Sequence, residues 1–157
     1  MPRPSARAIG EVVAIFSVVI SLIFVGLQLR QSAMASRAAA YQELGIAMSE
    51  GLRARAADRE LNDLMARAGS SDPAVWATLT DSDINLVRVY TLSVLRIYQS
   101  AYLEVQQGLL RPEALEDLGL SGFRQSDLLR NLWPLLRGSV SVEFADYLAS
   151  ELDLPLD

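Results

Sequence analysis

Three tyrosines recur near helical spacing in one predicted helix, and they are the first candidates for binding chemistry. Tyr90, Tyr98 and Tyr102 share a mostly apolar segment with Arg88 and Arg96. Aromatic rings beside guanidinium groups are found in grooves that bind a peptide or a lipid. The alternative is that the rings pack in the core with each hydroxyl at its rim.

Acidic residues at the start of the same helix resemble the opening of a calcium loop. The run is Asp81-x-Asp83-x-Asn85, and a complete loop would have Gly at its sixth position and Glu at its twelfth. This chain has Leu86 and Leu92 there. The helix dipole favours acidic residues at a helix start. We therefore interpret these residues as helix-starting groups and expect no calcium site.

The residue types that the chain lacks exclude most catalytic and metal chemistry. There is no His, no Cys and no Lys, since all 14 basic residues are Arg. An ordinary structural zinc site, a His-ligated haem and an iron–sulfur cluster need His or Cys, and a di-iron bundle would need a His beside Glu113, Glu116 and Asp117. A His base, a Cys nucleophile and a catalytic Lys are excluded as well. We predict no enzymatic activity, metal or cofactor, although chemistry by Ser or carboxylates stays open.

The charge balance argues against a nucleic-acid partner. The formal net charge is −5, and residues 30–157 hold 12 Arg against 18 acidic residues. No basic stripe is compatible with that balance. Apolar residues make up 51% of the chain and charged residues 21%, which predicts a packed core rather than disorder.

The elements that must position these residues begin with a long apolar segment. Residues 12–29 form a run of 18 without a charge. A helix of that length covers about 27 Å, close to the roughly 30 Å hydrocarbon core of a bilayer. We predict a short tail at residues 1–8, a transmembrane helix at 9–30 and a helical domain at 31–157.

Two alternatives to an uncleaved membrane anchor stay open. A signal peptide would have Arg3 and Arg7 as its basic region and Ala33-Met34-Ala35 as its cleavage site. Its apolar region would normally be shorter than the one found here. A buried core helix would need its β-branched surface covered on every side.

A stripe of small and polar residues runs along the predicted anchor. It comprises Gly10, Ala14, Ser17, Ser21 and Gln28. Small residues four apart allow a second transmembrane helix to approach closely. The stripe therefore predicts packing against another membrane protein or a second copy, although such residues are also common in membrane helices generally.

The block IGEVVAIFSVVISLIFVGLQLRQS at residues 9–32, followed by SRAAAYQ, resembles the start of an uncharacterised family of small bacterial single-pass membrane proteins. The shared core is S-L-I-[YF]-V-G-[LIV]-Q-[LI]-R-Q, followed in that family by a helical domain. The close match ends at about Gln42, and beyond it only the order of helices is similar. The resemblance implies a membrane anchor and implies no activity, cofactor or site residue.

The rest of the chain predicts helices only. An amphipathic helix over residues 31–57 would have a seam of apolar positions in steps of three and four. That seam comprises Met34, Ala38, Tyr41, Gly45, Met48 and Leu52. A short helix follows, with its apolar face formed by Leu61, Leu64, Met65 and Ala68, and Gly69 is expected to end it.

The strongest predicted helix spans residues 81–107. Thr80 and Asp83 form a capping-box pair at its start, and Gly108 is its expected stop. Its apolar surface is wide, which is typical of a central helix with several neighbours.

Three shorter helices complete the predicted all-α bundle, which has about five helices after the anchor. The first begins at Pro112 and stops at Gly119. The second spans residues 123–133 and breaks at Pro134. The third spans residues 142–150 behind the N-cap Ser141.

These features predict a membrane-tethered, non-enzymatic interaction or assembly module whose anchor lies in the lipid bilayer and packs against another membrane protein or a second copy. The alternative hypothesis is a membrane-anchored helical sensor that binds a lipid or apolar small ligand at Tyr90, Tyr98 and Tyr102. The arginines flanking the anchor are nearly balanced. Because a tail of about ten residues is easily translocated, we predict a cytoplasmic C-terminal domain.

Overall fold

The computed structural model describes residues 6–155, except for the side chains of residues 6–9 and 12–14. Within that range the chain is all-α and forms no strand, which confirms the predicted fold class. Residue contacts divide it into two compact units, of which the first ends at Ala39 and the second begins at Ala40. All side chains of the predicted tail at residues 1–8 lie outside the described ones.

Seven α-helices follow one another within the described residues. They are α1 (Ala6–Ala57), α2 (Arg59–Ala68), α3 (Pro73–Trp76), α4 (Asp81–Gln106), α5 (Ala114–Asp117), α6 (Leu128–Leu136) and α7 (Val142–Leu152). Two short 3-10 helices lie before and after α6, at Leu120–Gln125 and Arg137–Ser139.

Helix α1 is continuous, so the helices predicted over 9–30 and 31–57 are one element. Its large apolar side chains between positions 15 and 29 are exposed; Ile20 is 64% exposed and Phe24 60%. Within the described residues this is the one helix long and apolar enough to cross a membrane, over Ile15–Ala57. It is compatible with a single membrane span or with a signal sequence.

The later part of α1 packs on the core through a face slightly different from the predicted seam. Leu44, which was not predicted, is 6% exposed, whereas the seam residue Leu52 is 58% exposed. Tyr41 and Met48 pack against the core as expected. The seam prediction was therefore wrong at Leu52 and also at Met34, which is 53% exposed, and Leu44 takes the buried position instead.

Asp58 ends α1 and starts α2. Its extended backbone breaks the helix, and its carboxylate accepts a hydrogen bond from the Leu61 N–H at 2.9 Å, which supplies the N-cap of α2. Helix α2 buries Leu61, Leu64, Met65 and Ala68, the four residues predicted for its apolar face.

Helix α4 is the central element of the second unit. The predicted capping box is present, with the Asp83 N–H donating to Thr80 at 3.2 Å and the Thr80 N–H donating to the Asp83 carboxylate at 2.9 Å. These bonds lower the pKa of Asp83. The helix ends just before Gly108, whose φ is +72°. Its buried side chains are Val87, Thr91, Leu95, Tyr98 and Ala101.

Two of the shorter helices depart from prediction. Pro112 lies in a turn, in which the Ala114 N–H donates to the Arg111 carbonyl at 3.0 Å, so α5 begins two residues later. The predicted helix over 123–133 is interrupted at Ser126, whose backbone is extended. Pro134 lies inside α6 and does not break it. Its missing N–H costs one helical bond, which the burial of Leu136 offsets.

The last helix and its cap agree with the sequence. The Ser141 side chain accepts a hydrogen bond from the Phe144 N–H, and α7 continues two residues beyond the predicted end. Phe144 and Leu148 are fully buried. The core of the second unit therefore lies among α2, α4, α6 and α7.

Candidate ligand-binding cleft

A partly enclosed cleft of about 330 Å³ lies within the second unit. Its wall is formed by the end of α1, the middle of α4 and the 3-10 helix that follows α5. Half of the lining residues have large apolar side chains: Met48, Leu52, Met65, Val94, Ile97, Leu118, Phe123 and Leu128. Small-molecule sites begin at about 300 Å³ and are mostly apolar with a few placed polar groups, so this cleft is a candidate binding site.

Tyr90 and Tyr98 both line the cleft, and their hydroxyls are already bonded to the protein. Tyr90 donates to the Gly51 carbonyl at 3.0 Å, and Tyr98 donates to the Leu118 carbonyl at 2.9 Å. Burial, assisted by the nearby Glu116 carboxylate, raises the pKa of Tyr98 to about 12. These two residues therefore offer aromatic surface to a ligand, while their hydroxyls hold the walls together.

Tyr102 lies away from the cleft. Its ring packs against Tyr147 at a centroid distance of 5.0 Å and against Phe144 at 5.5 Å. The structure thus brings together two of the three tyrosines predicted for a ligand face and places the third in an aromatic cluster with α7. Arg88 and Arg96, predicted beside them, do not line the cleft either.

Thr91 was missed by the sequence analysis and is the most informative residue of the cleft. It is 1% exposed, and its hydroxyl has no hydrogen-bond partner among the described residues. Among the described residues, Glu104 also holds a buried polar atom without a partner, but Glu104 does not line the cleft. Buried hydroxyls are normally paired, so an unpaired hydroxyl buried in the wall of an apolar cleft is a candidate contact for a ligand.

Arg55 is the charged residue that lines the cleft. Its Nε–H donates to Asn62 Oδ1 at 2.9 Å, and Asn62 Nδ2 donates back to the Arg55 carbonyl at 2.8 Å. This reciprocal pair joins α1 to α2 and fixes the position of the guanidinium. The sequence contained no signal for it, because the pairing depends on how the chain turns at Asp58.

The predicted stripe on the anchor is exposed wherever its side chains are described. Ser17, Ser21 and Gln28 are exposed, and a Cβ added at Gly10 would meet nothing within 4 Å. Ser21 donates its hydroxyl to the Ser17 carbonyl at 2.8 Å, so that hydroxyl is satisfied within the helix. The side chain of Ala14 lies outside the described residues.

Three of the acidic residues considered for metal binding, Asp83, Glu116 and Asp117, are engaged in a cap or an ion pair. Asp83 caps α4, and Asn85 accepts a hydrogen bond from Arg88 at 2.9 Å. Asp117 pairs with Arg111 and Glu116 pairs with Arg124, each at 3.0 Å. Among the described residues, no group of three His, Cys, Asp or Glu side chains is placed to hold a metal ion.

Comparisons with protein-family models, with curated proteins and with solved structures found no match to this chain. The resemblance of residues 9–42 to a bacterial single-pass family therefore stays a prediction, and the cleft must be interpreted from its own geometry.

Proposed function

We propose that this chain is a membrane-anchored helical domain that binds a small apolar ligand in the cleft lined by Tyr90, Thr91 and Tyr98. The observation that supports the proposal is the unpaired Thr91 hydroxyl inside a partly enclosed, mainly apolar wall. Leaving such a group unpaired costs about 1–3 kcal/mol. A ligand that supplies a partner recovers that energy on binding. No step of this proposal is catalytic.

The exposed apolar surface of α1 supports a location at the membrane. We propose that residues 9–30 span the bilayer once, with the C-terminal domain in the cytoplasm. A single Cys introduced at Ser71, an exposed residue of the loop before α3 in a chain without other thiols, reports that orientation. Labelling by an impermeant maleimide in intact cells would contradict a cytoplasmic domain.

Photocrosslinking tests the ligand proposal. The full chain in lipid nanodiscs is irradiated with a diazirine-bearing alkyl probe, and labelled peptides are mapped by mass spectrometry. We expect saturable labelling on the residues of α4 and the 3-10 helix that line the cleft. Labelling confined to α1 would mean that the probe only follows the lipid, and would contradict the proposal.

Two glycines of α1 offer a matched pair of variants. Gly51 lines the cleft and Gly45 does not, while a Cβ at either position meets nothing within 4 Å. Replacing a helix glycine by Leu also favours the helix by about 0.5–1 kcal/mol. Gly51→Leu should therefore reduce cleft labelling without unfolding the domain, and Gly45→Leu should leave labelling unchanged.

A second candidate function is assembly through the anchor. It is favoured by the open space beside Gly10 and by the exposure of Ser17 and Ser21. Replacing both serines by Leu should weaken association measured by energy transfer between labelled copies or with a copurified partner. Unchanged association would exclude this stripe as the contact.

A further inference from the structure

We infer that the ligand of the cleft is an alkyl carboxylate, a chain of methylenes ending in one carboxylate that Arg55 binds. The inference rests on the proposed ligand-binding function and adds the chemical class of the ligand. Three observations support it: the Arg55 guanidinium has no carboxylate partner, the polar groups of α1 and α4 lie at one end of the cleft, and Arg55 is the single basic residue that lines it.

The Arg55 guanidinium is positioned but not neutralised. Asn62 accepts its Nε–H, and within the described residues no carboxylate lies within 4.0 Å of it and neither terminal nitrogen has a partner. The side chain is half-buried in the cleft wall. Its two terminal nitrogens form a planar fork that matches the two oxygens of a carboxylate.

The register of the two helices places the polar groups at one end of the cleft. The Tyr90 hydroxyl meets the Gly51 carbonyl at 3.0 Å, and Arg55 follows Gly51 by one helical turn. Thr91 is the next residue of α4 after Tyr90. Tyr98 lies two turns farther along α4, about 10 Å away, and its ring is edge-on to Phe123 of the 3-10 helix that follows α5. A ligand with one polar end and an apolar chain fits that distribution.

The count of charges selects a carboxylate over a phosphate ester. A phosphate monoester has close to two negative charges at neutral pH, and its recognition normally uses clustered cations. Arg55 is the single basic residue among those that line the cleft, in a chain whose net charge is −5. One guanidinium matches one monoanion.

Competition with matched ten-carbon compounds tests the inference. The full chain in nanodiscs of zwitterionic lipid is labelled with the alkyl diazirine probe, and decanoate, decanol and decyl phosphate compete, with empty nanodiscs as the background. We expect decanoate to compete at least tenfold better than decanol or decyl phosphate. Arg55→Gln should remove that advantage of decanoate and leave decanol unchanged.

Two further variants separate ligand binding from a structural role of Arg55. Arg53→Gln removes an exposed arginine of the same helix that does not line the cleft, and it should keep the decanoate preference. Arg55→Lys keeps the charge and loses the fork, so it should retain part of the preference. Equal competition by decanoate and decanol in the wild type would overturn the carboxylate inference and leave the ligand-binding proposal intact. Competition by none of the compounds would overturn both.

Discussion

The same residue types have opposite surroundings in two regions of this chain. In α1, Ile20 and Phe24 are 64% and 60% exposed, whereas Leu95 and Phe144 in the second unit are fully buried. The second unit covers its apolar side chains with its own helices. The described side chains of the first region between positions 15 and 29 have no such cover, which is compatible with a membrane span or a signal sequence.

The cleft is the place where the second unit resembles the first. Val94, Ile97 and Phe123 belong to the core-packed helices but are only half-buried, because they face the cleft. Other apolar side chains of that unit are covered by protein, whereas the apolar surface that faces the cleft is open to a ligand. The predictions below test the difference between surface covered by the chain and surface left open.

The largest expected effect comes from truncating a buried phenylalanine. Phe144→Ala should lower the free energy of unfolding by about 3–5 kcal/mol, because it removes a large side chain from a closed core. Phe24→Ala truncates the same side chain in the exposed region and should leave the free energy of unfolding unchanged. Denaturant unfolding of the full chain in lipid vesicles, followed by the fluorescence of Trp76 and Trp133, measures both. An equal loss of unfolding free energy in the two variants would mean that Phe24 and Phe144 have the same surroundings.

A charge placed in each region should have the next largest effect. Ile20→Arg should cost about 3 kcal/mol of membrane insertion, and carbonate extraction should then release the chain from membranes. Val142→Arg places the same charge on an exposed apolar residue of α7 and should leave membrane retention intact. Retention of the Ile20→Arg chain would contradict a spanning helix.

Replacing Thr91 by Val should stabilise the domain by about 1 kcal/mol and weaken ligand binding. The two side chains have the same shape, and the substitution removes a buried hydroxyl that has no partner. Thermal unfolding and probe competition measure the two effects. If Thr91→Val instead destabilised the protein, the hydroxyl would have a structural partner and the cleft would lose its main support.

Glu104→Gln should have the smallest effect, and its sign depends on pH. Burial, with repulsion from Glu43, raises the pKa of Glu104 above its ordinary value of 4.5. The folded state therefore holds the proton more tightly than the unfolded state, and stability is lost as pH rises from 4.5 through the folded pKa. The variant should be more stable than the wild type at pH 7 and equal to it below pH 4.5. A difference that does not vary with pH would contradict this cause.

Sequence reasoning was most reliable where local chemistry decides the structure. The capping box at Thr80, the cap at Ser141 and the stop at Gly108 each depend on a few neighbouring residues, and all three are present. The prediction at Pro134 was wrong because burial of the α6 face outweighed one missing hydrogen bond.

The cleft was only partly predictable because tertiary packing, and not local chemistry, brings most of its residues together. Tyr90 and Tyr98 were found from their spacing, but Tyr102 packs in a different cluster. Thr91 and Arg55 gain their significance from tertiary packing, which closes apolar residues around a hydroxyl and pins a guanidinium with Asn62. Neither event leaves a periodic pattern in the sequence.

The most direct test of ligand binding in the cleft is to identify what the protein retains from its own membranes. The full-length wild type, Gly51→Leu and Gly45→Leu are purified in the same lipid particles, extracted with organic solvent and compared by mass spectrometry. We predict that an amphiphile is enriched with the wild type and Gly45→Leu and depleted from Gly51→Leu. Identical extracts from all three proteins would contradict a ligand in the cleft.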